Sequence, residues 1–393
     1  MYRGQHASAA PECPETVSRG ALRLPAGRLL FTPPLCYFRP MSDAALASVL
    51  RQHVARATGI AADPAWDVRQ LAAQASSRTY HRLTTPAGTF VAMVMPEGAA
   101  KSEEATKGEA PTELPFVNVH RYLERLGVRV PKVHDWDPAA GIMIIEDLGD
   151  RTFEAALREG NDPEARREEL YCRAVDLLAA LRARADAAPD AGCLASSRAF
   201  DFDLYRWEFD HFLEWGLEAR HGVKLEGAQA ARVAALADGI CHALAALPRG
   251  FTHRDYQSRN LMVVGDDELV VIDFQDALQG PRQYDLVALL RDSYVELPID
   301  FVERMVRRYL GRLVEEGGPR LDPDAFLADF HLLTVQRKLK DAGRFVFIDR
   351  VKGNPGFLPS IPASLRYVKE ALSRRPELAD LHQILAPHVP ELA

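Results

Sequence analysis

Cysteine is scarce in this chain of 393 residues, and what there is suits neither metal nor disulfide chemistry. The five cysteines (Cys13, Cys36, Cys172, Cys193 and Cys241) are scattered, odd in number and without CxxC spacing. That pattern argues against a zinc site and a disulfide framework, so reduced thiols in a cytoplasmic protein are expected. No uninterrupted apolar run approaches the roughly 20 residues that span a bilayer. The stretch LLFTPPLCYF at 29–38 is short and broken by Pro33 and Pro34, so no membrane partner is expected. Positive charge is not in excess either: 48 Lys and Arg against 55 Asp and Glu give a net charge of −7. Without a basic domain or an RNA-binding aromatic motif, nucleic acid is a poor partner and a small molecule a better one. Repeats and low-complexity tracts are missing too. A hydrophobic content of 47% over this length supplies the core of one large two-lobed domain or two ordinary ones.

The first 40 residues are arginine-rich (Arg3, Arg19, Arg23, Arg28 and Arg39) and imitate a targeting segment. Ser42, however, stands ready to cap a helix with Leu46, Val49, Leu50 and Val54 on its apolar face. The folded protein is therefore expected to begin near Met41, with 1–40 a disordered leader or the product of an upstream start codon.

The informative stretch is FTHRDYQSRNLMVVGDDELVVIDFQDALQGP at 251–281. Two apolar runs, Leu261 to Val264 and Leu269 to Ile272, flank Gly265, Asp266, Asp267 and Glu268, predicting a β-hairpin with a four-residue loop. Pairing Val264 with Leu269 sets Asn260 opposite Asp273, and facing Cα atoms in such a ladder lie roughly 4.5 to 5.5 Å apart. An amide oxygen and a carboxylate then converge as ligands for a hard cation, Mg²⁺. Asp255, on the loop leading to Asn260, is placed to orient a hydroxyl and take its proton. His253 is expected to brace this loop and Asp285 to support it. The string HRD at 253–255, Asn260 at the metal-ligand spacing, and Ile272-Asp273-Phe274 in place of DFG make the kinase catalytic signature. A plain hairpin with solvated acids is the competing reading, and the joint spacing weighs against it.

Upstream, VRQLAAQ, RTYHRLTT, a PAG turn at 86–88 and TFVAMVM predict three antiparallel strands. In AQASSRTY, between the first two, small residues let the backbone approach phosphates, making Ser76, Ser77 and Arg78 nucleotide candidates. A plain turn is the alternative. The third strand should carry a phosphate-binding lysine but offers Met93 and Met95, and Asn118, on a helix expected from Pro115 to Leu126, stands where its acidic partner belongs. Arg78 and Lys101 are the substitute cations. GIMIIEDLGD at 141–150 runs an apolar strand into Glu146, Asp147 and Leu148, a hinge whose backbone groups can bond adenine. The competing reading there is a buried strand leaving the sheet.

Beyond Thr152 the chain turns helical. EELYCRAVDLLAALRARA is a core helix, ARVAALADGICHALAALPRG at 231–250 delivers the catalytic loop, and PASLRYVKEAL and PELADLHQIL close the chain. The segment FDFDLYRWEFDHFLEWGLEARHG combines aromatics and acids, of which Trp207, Glu208 and Asp210 are acceptor candidates against plain packing. FHLLTVQRKLKDAGRFVFIDRVKG mixes a helix with a basic run, Arg337, Lys338, Lys340, Arg344, Arg350 and Lys352. Such runs are ordinarily solvated faces; as a binding surface this one, through Arg337 and Lys340, suits an anionic substrate rather than a cationic one.

IDFQDALQGPRQYDLVALLRD, in which Asp285 opens a helix and no activation loop ending in APE follows, resembles the aminoglycoside phosphotransferase-like small-molecule kinases. Within that superfamily the HRDYQSRNLM, IDFQDA and GPRQYDLVALLRD blocks are most similar to the bacterial N-acetylmuramate/N-acetylglucosamine anomeric kinases of cell-wall recycling. The resemblance runs from near Ala75 to near Leu372. It implies an α/β (α+β) two-lobed protein-kinase-like fold: an antiparallel-sheet N-lobe at 41–147 and a mainly helical C-lobe at 148–393. It also implies ATP between the lobes, Mg²⁺ on Asn260 and Asp273, Asp255 as catalytic base, an aromatic and acidic segment beside the acceptor pocket, and tolerance of Met on the third strand. The acceptor would be the C1 hydroxyl of the amino sugar and the protein a monomer. Two rivals stay open: a related kinase of an aminoglycoside, choline-like or homoserine-like acceptor, and a pseudokinase without turnover.

Overall fold

The hydroxyl of Ser42 accepts the N–H of Ala45 at 3.3 Å, capping helix α1 (Asp43–Thr58), which ends on Gly59 in the left-handed region. The computed structural model describes residues 42–71, 78–95 and 113–393. The leader, Ser76, Ser77 and Lys101 lie outside them. Strands β1 (Asp67–Gln70), β2 (Thr79–Thr85) and β3 (Gly88–Val94) form the expected antiparallel meander, with Thr85 opposite Gly88 at the PAG turn. After helix α2 (Pro115–Arg125), strands β4 (Val133–Asp137) and β5 (Ile142–Glu146) complete a five-stranded sheet in the order β1-β2-β3-β5-β4.

Alternation along β3 decides which layer each side chain joins. Phe90 and Ala92 belong to a small core with Leu50 and Val54 of α1, whereas Val91 and Met93 belong, with Phe116 and Val119 of α2, to the core that continues into the helical lobe. Arg82 of β2 ties the sheet to the segment after β5. It lies 2.8 Å from Asp147 and 2.9 Å from Asp150.

The second lobe begins with α3 (Phe153–Ala156) and α4 (Pro163–Ala187) and continues through α5 (Phe202–His211) into a π-helical segment at Phe212–Ala219. Helix α6 (Gly227–Ala245) ends short of Pro248, and the residues that follow form β6 (Arg249–Thr252). Hairpin β7 (Leu261–Val264) and β8 (Glu268–Val271) comes next, then β9 (Leu278–Pro281), which pairs with β6. Helices α7 (Gln283–Leu290), α8 (Ile299–Glu315), α9 (Pro323–Lys352), α10 (Ile361–Ser373) and α11 (Ala379–Leu385) close the lobe. No helix among the described residues is long and apolar enough to cross a membrane. The result is the two-lobed architecture expected, an antiparallel sheet against a largely helical remainder.

Two local expectations are corrected. The hairpin pairs Val264 with Glu268, not Leu269, so its loop is the three residues Gly265, Asp266 and Asp267, and Asn260 stands opposite Ile272, whose N–H donates to its carbonyl at 3.1 Å. The tighter turn is possible because Gly265 and Asp267 adopt positive φ (47° and 66°), and Arg151 and Arg166 hold the Asp267 carboxylate at 2.8 Å and 2.5 Å. The basic run, second, lies on a single helix of 30 residues, α9, with Arg337, Lys338 and Lys340 buried. Neighbouring elements enclose much of α9. A Cβ at Gly343 would meet the His211 carbonyl oxygen at 2.9 Å, so the π-helical turn crosses there almost backbone to backbone.

Candidate active site

Two buried carboxylates hold the loop between β6 and β7. Asp285, on α7, accepts the N–H of His253 at 2.7 Å and of Arg254 at 2.9 Å, and Asp292 accepts that of Ser258 at 2.8 Å. Burial pushes both carboxyls above their ordinary values, and the amide hydrogen bonds oppose it. The N–H of Asp255 reaches His253 Nδ1 at 3.2 Å and the other ring nitrogen lies 3.0 Å from the Ile272 carbonyl, an arrangement that puts the proton on Nε2. Tyr256 donates to the Ala174 carbonyl of α4 at 2.9 Å. Arg254, fixed at both flanks, has a φ of 79°, a strained conformation for a non-glycine residue.

On this platform the three residues of the expected signature meet. The amide nitrogen of Asn260 donates to the Asp255 carbonyl at 2.9 Å and lies 3.4 Å from Asp273 Oδ2. The other oxygen of Asp273 accepts from Gln275 Nε2 at 2.7 Å. Burial pushes the Asp273 carboxyl up; Gln275 opposes this, and the charge of Asp255 adds to it. Burial works the same way on Asp255, whose side chain is 36% exposed, but Arg337, Lys340 and Arg254 outweigh it and hold that carboxyl below its ordinary value. Among the described residues no three His, Cys, Asp or Glu side chains form a metal cage. One amide and one carboxylate, with a second carboxylate close by, fit instead a cation that keeps waters and phosphates in most of its positions, as Mg²⁺ does.

Tyr80, opposite Met93 in the sheet, packs against the core that continues into the helical lobe. Burial raises its hydroxyl; the charge of Arg78 opposes this and that of Asp273 adds to it. Met93 itself is fully buried. Asn118 does not face it: its side chain bonds Glu113, the Gly192 carbonyl and the Leu194 N–H, anchoring α2 to the helical lobe. Phe274, next to Asp273, packs on Phe116 of α2 with ring centres 4.8 Å apart. In the segment expected to be the hinge, the side chains of Glu146 and Asp147 are engaged by Arg129 and Arg82, and the Glu146 N–H donates to the Lys132 carbonyl at 2.8 Å.

The acceptor candidates divide. Glu208 is buried beneath the loop, 3.6 Å from Arg254 and accepting from Gln336 at 2.8 Å; burial raises its carboxyl against the charges of Lys340 and Arg337. Its neighbours on α5 are not brought to this cluster. Asp210 pairs with Arg206 at 2.8 Å, and Trp207, 41% exposed, stacks on His211 in an aromatic strip with Trp215 and Phe347. Arg337 and Lys340 do not form the open basic face expected of them. Arg337 spans Asp255 and the Arg254 carbonyl, while Lys340 lies 3.2 Å from Asp341. The physical reason is that α9 is buried, so each cation had to find an anion.

Gln275, Tyr80 and Asp292 were not legible as site residues. Asp292 follows Asp285 by seven residues but lies beyond the end of α7, so helical periodicity offers no signal for it.

A family model described as "Phosphotransferase enzyme family" (APH) matches residues 67–323. The N-acetylmuramate/N-acetylglucosamine kinase of Pseudomonas aeruginosa is 38% identical over 274 residues, 69% of this chain and 77% of that protein. The protein of the same name from Neisseria meningitidis serogroup B is 32% identical over 321 residues, 81% and 90% of the two chains. Among solved structures, the choline kinase LicA of Streptococcus pneumoniae superposes with a TM-score of 0.57 at 13% identity, covering 84% of this chain and 99% of that one. The ADP-bound aminoglycoside phosphotransferase APH(2'')-Ib does so with a TM-score of 0.53 at 14% identity, over 84% and 99%. At those identities the likeness is one of fold, whereas the match to the family model extends through the catalytic loop: the chain belongs to the phosphotransferase enzyme family.

Proposed function

We propose that this protein is an ATP-dependent amino-sugar kinase that phosphorylates the anomeric C1 hydroxyl of N-acetylmuramic acid and N-acetylglucosamine, a step of peptidoglycan recycling. The observation that carries the reading is the convergence of Asp255, Asn260 and Asp273 on one braced loop and hairpin end. The names of the relatives support the acceptor. The basic run adds no support of its own, because Arg337, Lys338 and Lys340 are buried against Asp255 and Asp341.

In this reading Asp255 accepts a hydrogen bond from the acceptor hydroxyl, aligns its oxygen on the γ-phosphorus and takes the proton as the new O–P bond forms and the bond to ADP breaks. Asn260 and Asp273 would hold Mg²⁺, which when bound neutralises charge on the phosphates. The backbone at 146–148 holds adenine, and Arg78, with Ser76 and Ser77, covers the phosphates. A carboxyl held below its ordinary value, as Asp255 is, is a weak base. It suits an anomeric hydroxyl, more acidic than an ordinary alcohol, better than a primary one. Retention of all three residues speaks against a pseudokinase. Every group named comes from one chain, so a monomer suffices, and the free thiols Cys172, Cys193 and Cys241 suit the cytoplasm. A panel of acceptors with ATP tests the reading. Turnover of both amino sugars with none of kanamycin, choline or homoserine is expected; turnover confined to the latter group would refute it.

A further inference from the structure

Beneath the catalytic loop cations pair with carboxylates, Asp341 serving two of them. Glu208 lies 3.6 Å from Arg254, Asp341 lies 2.6 Å from Lys338 and 3.2 Å from Lys340, and Asp255 lies 3.4 Å from Arg337. Among the described residues, Asp255 is the one carboxylate within ion-pairing distance of Arg337. The guanidinium does more than balance charge. Its Nη1 donates to the Arg254 carbonyl at 2.8 Å while Nη2 faces Asp255 Oδ1, and its plane lies over the Tyr284 ring, 4.6 Å from the centroid. The Arg337 side chain is 2% exposed and Asp255 36%, so the arginine stands behind the carboxylate, on the side away from solvent.

We propose that Arg337 is the positioning residue of the phosphotransfer reaction: one arm of its fork fixes the strained backbone at Arg254 and the other takes Oδ1 of Asp255, leaving Oδ2 to the acceptor hydroxyl. The inference rests on the reading of Asp255 given above. A planar fork is what the geometry needs, because the two acceptors belong to consecutive residues and must be held in fixed relation; a lysine, with one compact ammonium on a flexible stem, can hold either but not fix both. Removing the fork frees the carboxylate to rotate and the Arg254 peptide to relax. A misplacement of about 1 Å at a reacting group costs on the order of 10²-fold in rate. The contacts of Arg337 are with Arg254, Asp255 and Tyr284 and not with Asn260, Asp273 or the 146–148 segment, so binding should be spared.

The test is steady-state kinetics of Arg337→Lys and Arg337→Ala, with Asp255→Asn as control, using ATP and N-acetylglucosamine. Both arginine variants should lose at least about tenfold in kcat with KM for either substrate within about twofold. Methylguanidinium, and not methylammonium, should restore part of the Arg337→Ala rate. An Arg337→Lys protein with the parent kcat would overturn the inference, as would a loss carried by KM; should Arg337→Ala fail to fold, the lysine variant decides alone. Asp255→Asn separates the two claims. If it turns over normally, the reading of Asp255 fails and Arg337 has nothing to position; if it is inactive while Arg337→Lys is normal, only the role of Arg337 fails.

Discussion

Asp273 stands one residue beyond the ladder partner of Asn260, yet its Oδ2 lies 3.4 Å from the Asn260 amide. The backbone supplies the missing step. Asp273 adopts a φ of 64°, leaving the strand direction as β8 ends, and the turn swings its carboxylate back across the hairpin. A non-glycine residue in this region stores strain, which persists only where surrounding bonds fix it, here the Gln275 hydrogen bond at 2.7 Å.

Asp273→Asn should therefore weaken the metal site while leaving the fold intact. Losing a charged ligand should cost at least the roughly 10- to 100-fold in metal affinity typical of losing an outer-shell partner. Titration of Mn²⁺ by EPR in the presence of ADP checks this directly, and an unchanged affinity would show that the cation is held elsewhere.

Asp285→Ala should destabilise the protein and disarm it together. Two buried N–H groups lose a charged acceptor, and hydrogen bonds to charged groups contribute about 1.5 to 3 kcal/mol each. Urea unfolding should show a loss of about 3 kcal/mol or more, with kcat lowered in the remaining folded protein. A variant of parent stability would mean that the loop is braced by other contacts.

Met93→Lys should not restore a phosphate-binding lysine. Met93 is 0% exposed, so a lysine there buries an uncompensated ammonium, at several kcal/mol. Loss of stability without tighter ATP binding is expected. A stable variant with higher ATP affinity would show that the β3 side chain does reach the phosphates.

His331 predicts a pH dependence of stability. Burial, with Arg291, Arg374 and Arg375 nearby, lowers it from 6.5 to about 4. The unfolded chain therefore binds a proton that the folded protein refuses between these values, and stability falls as pH drops through that window. The contribution should be about 2 kcal/mol between about pH 7 and about pH 5. His331→Gln should flatten the slope of unfolding free energy against pH by that amount; an unaltered slope would place the titration elsewhere.

Asp255, Asn260 and Asp273 could be found in the sequence because their spacing is local and the chemistry demands those side chains. The hairpin register could not: Glu268 reads as a polar turn residue but is an exposed strand position, and one residue of slip changes which side chains oppose. The role of α9 was hidden for a different reason. Arg337, Lys338 and Lys340 look like a solvated face because charged side chains are rarely buried, and only the tertiary neighbours Asp255, Asp341 and Glu208 show why these are. Gln275 follows Asp273 so closely that its position was visible but its hydrogen bond was not. The sheet was plain from alternation, while the short β6 and β9 pairing, distant in sequence, was not.

The position of the transferred phosphate tests the central claim most directly. With ATP and the protein, free N-acetylmuramic acid should give a 1-phosphate, seen as a coupling between phosphorus and the anomeric proton in a ³¹P–¹H NMR spectrum, and the methyl glycoside blocked at C1 should give no phosphorylated product. Phosphorylation of the methyl glycoside at a rate similar to that of the free sugar would contradict the anomeric assignment.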